Sequence, residues 1–144
     1  MKEFIIGSKA FFSAFPDFVP VDTDYLIMDD NPDFELTKSY MEGNIHYVYW
    51  EDLPKEKLIE AHLHFYEGRY IQKFLVPEFA EYIGLTIDDL RSLSILVDRL
   101  DQYHGYCRVV YNAYLENGSF TLTPEQLQQA YEVYKSERGE YYQK

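Results

Sequence analysis

The period of the hydrophobic pattern changes part-way along the chain. As far as Trp50 the apolar residues come in short runs or alternate with polar ones, whereas beyond Pro54 they recur three and four positions apart. The first regime predicts three strands: Phe4–Ile6, Asp22–Met28 and Asn44–Trp50, the last built from β-branched and aromatic residues. Between the first two, Gly7-Ser8 predicts a close turn into a brief helix from Lys9 to about Ala14, with Ser8 as its cap. Pro16 and Pro20 predict an extended link, and Asp29-Asp30-Asn31-Pro32-Asp33 a turn.

The second regime predicts helices with clear punctuation. Leu58, Ile59, His62, Phe65 and Tyr66 share a helical face, while Gly68–Val76 fits either a short strand or an irregular segment. Pro77 opens a short helix whose apolar side is Phe79, Tyr82 and Ile83, and Gly84 closes it. Thr86 and Asp89 form a capping box for a helix reaching about Leu100, with Leu90, Leu93, Val97 and Leu100 inside. Tyr106, Val109, Val110, Ala113 and Tyr114 make the next stripe, closed by Asn117-Gly118. Thr123-Pro124-Glu125-Gln126 caps a last helix that buries Leu127, Ala130, Tyr131 and Tyr134, with a frayed tail after Gly139. The fold class expected is α+β: a mixed sheet with flanking helices over residues 1–76, then a helical unit over 77–144 packed on it as one compact domain.

Composition narrows the function classes. The chain has 144 residues, enough to bury a core, and its 47% hydrophobic and 18% aromatic content argues for folding despite a formal charge of −12. That charge opposes general nucleic-acid binding, which needs clustered Lys and Arg; Arg91, Arg99 and Arg108 are dispersed, and Lys2 and Lys9 stand apart. Cys107 is the only cysteine and reads as a small core side chain, so neither an intrachain disulfide nor a cysteine metal cluster is expected. No apolar run approaches a membrane span and no leader pattern opens the chain, so the expected location is cytoplasmic with no membrane partner.

The candidate chemistry gathers near the N-terminus. A turn at Gly7-Ser8 leaves backbone N–H groups facing outward, which suits a polyanion. In the second strand the period of two puts Asp22 and Asp24 on one face, about 7 Å apart by strand rise, an arrangement fit for sharing a divalent cation.

Ile5-Ile6-Gly7-Ser8-Lys9-Ala10 followed by Val21-Asp22-Thr23-Asp24-Tyr25-Leu26-Ile27 resembles the signature of the nucleotidyltransferase superfamily of polymerase-β type. The resemblance covers about the first thirty residues and implies a nucleotidyltransferase-like mixed sheet followed by helices. It further implies that Gly7 and Ser8 bind the triphosphate of a nucleoside triphosphate, with Lys9 supplying a positive charge. Asp22 and Asp24 would be the catalytic residues and ligands of Mg²⁺ or Mn²⁺. The implied activity is transfer of a nucleoside monophosphate to a hydroxyl acceptor, a protein or small molecule rather than a long nucleic acid. The alternative is a non-catalytic relative that kept the fold to bind a nucleotide or a protein partner.

One departure motivates that alternative. Family members carry a third carboxylate on a neighbouring strand, and Asn44–Trp50 contains no acid. His46 or Asn44 stands at that position, and Glu51 or Asp52 reaches it only if the strand is longer or shifted.

The remaining features have structural readings. His62 lies on an apolar helix face and reads as a core histidine; His62 and His64, two apart on a helix, make a poor chelating pair. His104 reads as a helix-boundary residue bonded locally near Asp101. Tyr103, Tyr106, Tyr111, Tyr114, Tyr131 and Tyr134 are expected at the core margin or in an oligomer contact rather than as a base-stacking platform. Asp29, Asp30, Asp33 and Glu35 lack EF-hand spacing and read as a solvated turn.

Overall fold

The strand-forming part of the chain folds as a four-stranded mixed sheet. A computed structural model of the chain describes residues 2–18, 23–29, 37–66, 71–94 and 105–142. Strands β1 (Lys2–Ile6), β2 (Thr23–Asp29), β3 (Thr37–Glu42) and β4 (Ile45–Glu51) lie in the order β1-β2-β4-β3. β1 is antiparallel to β2, β2 is parallel to β4, and β3 is antiparallel to β4. The chain divides into two compact units, Met1–Pro54 and Lys55–Lys144. The boundary between the units coincides with Pro54, where the helical period of the sequence begins.

In the first unit, alternation sets the two faces of the sheet. Phe4 and Ile6 of β1, Leu26 and Met28 of β2, and Val48 and Trp50 of β4 are all buried and share one face by register. Each such side chain contributes about 1.5–3 kcal/mol on full burial. Helix α1 (Ser8–Phe12) adds Phe11 and Phe12 to the buried set. It is shorter than expected and begins one residue earlier. Gly7, not Ser8, is its N-cap, and no side chain caps it. Beyond it the chain does not extend at Pro16: Phe15 N–H bonds to Phe12 O and Phe18 N–H to Phe15 O, giving successive turns. Those turns bring Phe15 and Phe18 edge-on to Phe12 at 6.2 and 6.3 Å. Aromatic packing outweighs the extended preference expected at Pro16. Pro20, Asp22, the acidic run from Asp30 to Glu35, Arg99, Tyr103 and His104 lie outside the described residues.

β3 is an element that hydrophobic periodicity does not reveal. Its sequence, Thr-Lys-Ser-Tyr-Met-Glu, is largely polar, as an edge strand tolerates. The pairing Glu42↔Ile45 leaves Gly43-Asn44 as a two-residue hairpin loop, with Gly43 at φ 62°.

In the second unit, α2 (Lys55–Ala61) widens into a π-helical turn over His62–Tyr66, and Ile71–Leu75 forms a 3₁₀ turn. Then follow α3 (Pro77–Ile83), α4 (Ile87–Ser92), α5 (Gly105–Asn117) and α6 (Pro124–Tyr142). Gly84 closes α3 in the left-handed conformation, and the Thr86–Asp89 capping box opens α4, as the sequence predicts. The box at Thr123 and Gln126 forms too: Thr123 N–H donates to Gln126 Oε1 at 2.9 Å and Gln126 N–H to Thr123 Oγ1 at 3.2 Å. Two expectations change. α4 ends at Ser92, with Val97 and Leu100 of the expected stripe outside the described residues, and α6 continues through Gly139 to Tyr142.

Five tyrosines of this unit are core, not platform. Tyr106, Tyr111, Tyr114, Tyr131 and Tyr134 are all buried, as is Cys107. Tyr111 and Tyr114 donate their hydroxyls to the carbonyls of Leu90 and Leu75 at 3.0 and 2.9 Å. His62 is buried edge-on to Phe74 at 4.8 Å, and Lys73 is buried nearby in sequence. Among the described residues no helix is long and apolar enough to cross a membrane.

Candidate functional site

Strand register places the two halves of the N-terminal pattern side by side. Ile6, the last residue of β1, pairs with Asp24 near the start of β2, and Asp24 pairs in turn with His46 near the start of β4. The chain leaves β1 at Gly7, which takes φ 74° and ψ −158°, a conformation open essentially to glycine alone. A Cβ on that residue would stand 2.8 Å from Asp24 Oδ2. The turn and the carboxylate are therefore in direct apposition, and the missing side chain is what permits it.

The other carboxylate oxygen faces β4. Asp24 Oδ1 lies 3.1 Å from His46 Nδ1, and the two side chains are 30% and 34% exposed, so the pair sits open to solvent. Because the two strands are parallel and in register, backbone pairing makes the two side chains neighbours on one face, and the hydrogen bond between them closes the distance. On the opposite face of the same strands Tyr25 and Tyr47, the next pair in the register, stack at 5.8 Å. A cross-strand aromatic pair of this kind adds about 0.2–1 kcal/mol and stiffens the corner from behind.

Of the residues the sequence singles out, Gly7, Ser8, Lys9 and Asp24 are brought to one corner, and Asp22 lies outside the described residues. Ser8 is the first residue of α1, and Lys9 directs its ammonium toward Thr23 Oγ1 at 3.4 Å, one residue from Asp24. Of the candidates on the third predicted strand, His46 is the one paired with Asp24. Glu51 pairs with Asp29 at the far end of β4, and Asp52 is held there too, its N–H donating to Asp29 O at 2.7 Å. Neither acid is at the Asp24 end.

The donor set at this corner tests the fit to a magnesium ion. Mg²⁺ takes oxygen ligands in near-ideal octahedral geometry, and the described residues bring one carboxylate and one imidazole nitrogen. Asp22, the other carboxylate that the sequence offers to a cation, lies outside the described residues. Among the described residues no group of three or more His, Cys, Asp or Glu side chains is placed to hold a metal ion.

Sequence reasoning had His46 as one of four alternatives for the third position. The hairpin narrows the choice: once Gly43-Asn44 is read as a two-residue loop, β4 starts at Ile45, Asn44 falls in the loop, and Glu51 and Asp52 fall at the far end of the strand. No protein-family model, curated protein or solved structure matches the chain.

Proposed function

We propose that this chain is a nucleotidyltransferase-fold protein whose Gly7–Asp24 corner takes the polyphosphate of a nucleoside triphosphate. The observation that carries the reading is the apposition of the Gly7 turn and the Asp24 carboxylate, with 2.8 Å between a virtual Cβ and Oδ2. The two short motifs are separate in sequence, and a common corner is what a shared ligand requires of them. Lys9, close to the same strand start, adds a positive charge for phosphate oxygens.

In the transfer reaction the oxygen of an acceptor hydroxyl bonds to the α-phosphorus. The bond from that phosphorus to the bridging oxygen of the β-phosphate breaks, pyrophosphate leaves, and the hydroxyl proton passes to solvent. The turn and Lys9 orient the leaving phosphates, which is a positioning contribution. A divalent cation, when bound, supplies charge neutralisation between the attacking oxygen and the phosphates. The acidic balance of the chain favours a protein or small molecule as acceptor.

A second reading, nucleotide binding without transfer, is favoured by one specific observation: the residue opposite Asp24 on β4 is a histidine and not a carboxylate. One experiment separates the two. Thermal stability and pyrophosphate release are measured with each nucleoside triphosphate, with and without divalent cations, for wild type and Asp24→Asn. Turnover lost in the variant supports transfer, and nucleotide stabilisation without turnover supports the binding module. Absence of any nucleotide response overturns both.

A further inference from the structure

The two oxygens of the Asp24 carboxylate face two different elements. Oδ1 stands 3.1 Å from His46 Nδ1 on β4, a hydrogen-bond distance, and Oδ2 stands against the Gly7 turn, where a Cβ would come within 2.8 Å of it. An ionised carboxylate can only accept, so Nδ1 is the protonated nitrogen of this pair and donates to Oδ1. We propose that His46 is a positioning residue, whose Nδ1–H fixes the rotamer of Asp24 so that Oδ2 is presented at the Gly7 turn. The inference rests on the nucleotide reading for what meets Asp24 there, and on the geometry of the three residues alone for the orientation.

Register makes the pair, and the sheet keeps it. Asp24 and His46 are partners on adjacent parallel strands, so their side chains leave the same face. One step along that register Tyr25 and Tyr47 stack at 5.8 Å, which holds β2 to β4 from the opposite face. The Asp24 and His46 side chains are each about one-third exposed, and a pair so open to water adds little to stability. Its consequence is direction. Without a donor on β4 the Asp24 side chain has three staggered χ1 wells open to it; with the donor, the well that keeps Oδ1 toward β4 and Oδ2 toward Gly7 is selected.

A positioning role is defined by what can stand in for the histidine. Asparagine carries an N–H donor one bond beyond Cγ, where imidazole carries Nδ1, so it can donate to Oδ1 from the same place. Alanine has no donor. Aspartate, the residue type that the nucleotidyltransferase resemblance implies on this strand, would set a second carboxylate opposite the first, and the like charges would drive Asp24 out of the selected well. Population arithmetic gives the size of the effect. If His46→Ala spreads Asp24 evenly over its three wells, the competent fraction falls to about one third and nucleotide affinity weakens about threefold. His46→Asp weakens it further.

The test reads Asp24 first and the nucleotide second. In the full chain without nucleotide, three-bond couplings from the Asp24 carboxylate carbon to its backbone nitrogen and carbonyl carbon report χ1 by nuclear magnetic resonance. Calorimetry with each nucleoside triphosphate in the presence of Mg²⁺ then gives affinity. The expected couplings are those of one rotamer in the wild type and His46→Asn, and averaged values in His46→Ala. Affinity should fall from the wild type and His46→Asn, through His46→Ala, to His46→Asp. Averaged couplings in the wild type overturn the proposal however the variants fold, and so does an undisturbed Asp24 in His46→Ala. Where a nucleotide binds, equal affinities of His46→Asn and His46→Ala overturn it as well, as does a His46→Asp protein that binds at least as tightly as the wild type. An Asp24 that loses its rotamer in His46→Ala, in a protein with no response to any nucleoside triphosphate, sustains the positioning and sinks the nucleotide reading; nucleotide binding with Asp24 averaged does the reverse.

Discussion

Gly7 and Asp24 are packed so closely that the glycine has no room for a side chain, a Cβ there standing 2.8 Å from the carboxylate oxygen Oδ2. Two penalties are therefore superposed at Gly7. One is steric and local to Asp24; the other is conformational, because φ 74° with ψ −158° is strained for any residue with a Cβ.

Gly7→Ala separates them. The backbone term alone costs about 1–3 kcal/mol, and the contact with Asp24 adds to it. In an Asp24→Ser background the same substitution should cost less, yet remain destabilising, since the smaller side chain relieves the contact and not the dihedral. Urea unfolding of the four proteins in this cycle measures the difference. An identical penalty in both backgrounds would show that the apposition contributes nothing to stability.

Lys55 ties the start of α2 to the α3–α4 corner, donating to Asp89 Oδ2 at 2.8 Å and to Gly84 O at 3.0 Å. The hydrogen bond to Asp89 raises the Lys55 ammonium above its ordinary value, with burial opposing and the charges of Asp89 and Glu56 assisting. For Asp89 burial works to raise the carboxyl, and the hydrogen bonds from Lys55 and Thr86 outweigh it and hold the group below its ordinary range. The Asp89 contribution is thus complete above about pH 3.8, its unfolded value, and is lost as the pH falls through the lower folded value. The Lys55 contribution is complete below about pH 10.5 and is lost as the pH rises through the higher folded value. The stability difference between wild type and Lys55→Met should be flat between those limits and shrink outside both. Because the pair is partly exposed, added salt should reduce the plateau as well.

Much of the second unit was legible because its helix ends are written in local chemistry. Thr86 with Asp89, Thr123 with Gln126, and Gly84 each act within a few residues, so tertiary contacts had little opportunity to override them. The end of α4 was not legible: Leu93 sits on the apolar stripe and is buried, so the periodicity runs through the very residue at which the helix ends. In the first unit the strands with apolar alternation were legible, and β3, polar and at the sheet edge, was not. The same omission hid the site. Without β3 and its two-residue loop the start of β4 is not marked, and without that start nothing in the sequence ranks His46 above Asn44, Glu51 or Asp52 as the neighbour of Asp24.

The N-terminus of α5 is capped from a distance. Glu137 of α6 accepts from the N–H groups of Gly105 at 2.9 Å and Tyr106 at 3.1 Å, placing a carboxylate at the positive end of the α5 dipole. Glu137→Ala removes both acceptors and should cost about 1–2 kcal/mol, near the upper range for caps. Glu137→Gln keeps one acceptor without the charge and should cost about half as much. Gly105→Ala should also destabilise, since its Cβ would lie 2.9 Å from Glu137 Oε1 and push the carboxylate off the two amides. Chemical denaturation of the three variants checks the order, and equal losses for Glu137→Ala and Glu137→Gln would remove the charge from the account.

Tyr114 anchors α5 to the 3₁₀ turn through a buried hydroxyl that donates to Leu75 O at 2.9 Å. Burial pushes its phenol above the ordinary value of 10.0, with the charge of an ionised Cys107 thiol acting in the same direction. The folded protein therefore keeps Tyr114 protonated at a pH where the unfolded chain has begun to release that proton. By linkage the stability due to this group is complete below about pH 10, its unfolded value, and declines as the pH rises through the higher folded one. Tyr114→Phe should lower stability by about 1–2 kcal/mol at neutral pH, because the Leu75 carbonyl loses its buried donor. It should also remove part of the alkaline loss, since Phe has no proton to give up. Tyr111→Phe, which deletes the bond to Leu90 O at 3.0 Å, is the comparison for a second buried tyrosine hydroxyl on the same helix. Denaturation curves across the alkaline range decide the matter: parallel curves for wild type and Tyr114→Phe at every pH would mean that ionisation of Tyr114 is no part of alkaline unfolding.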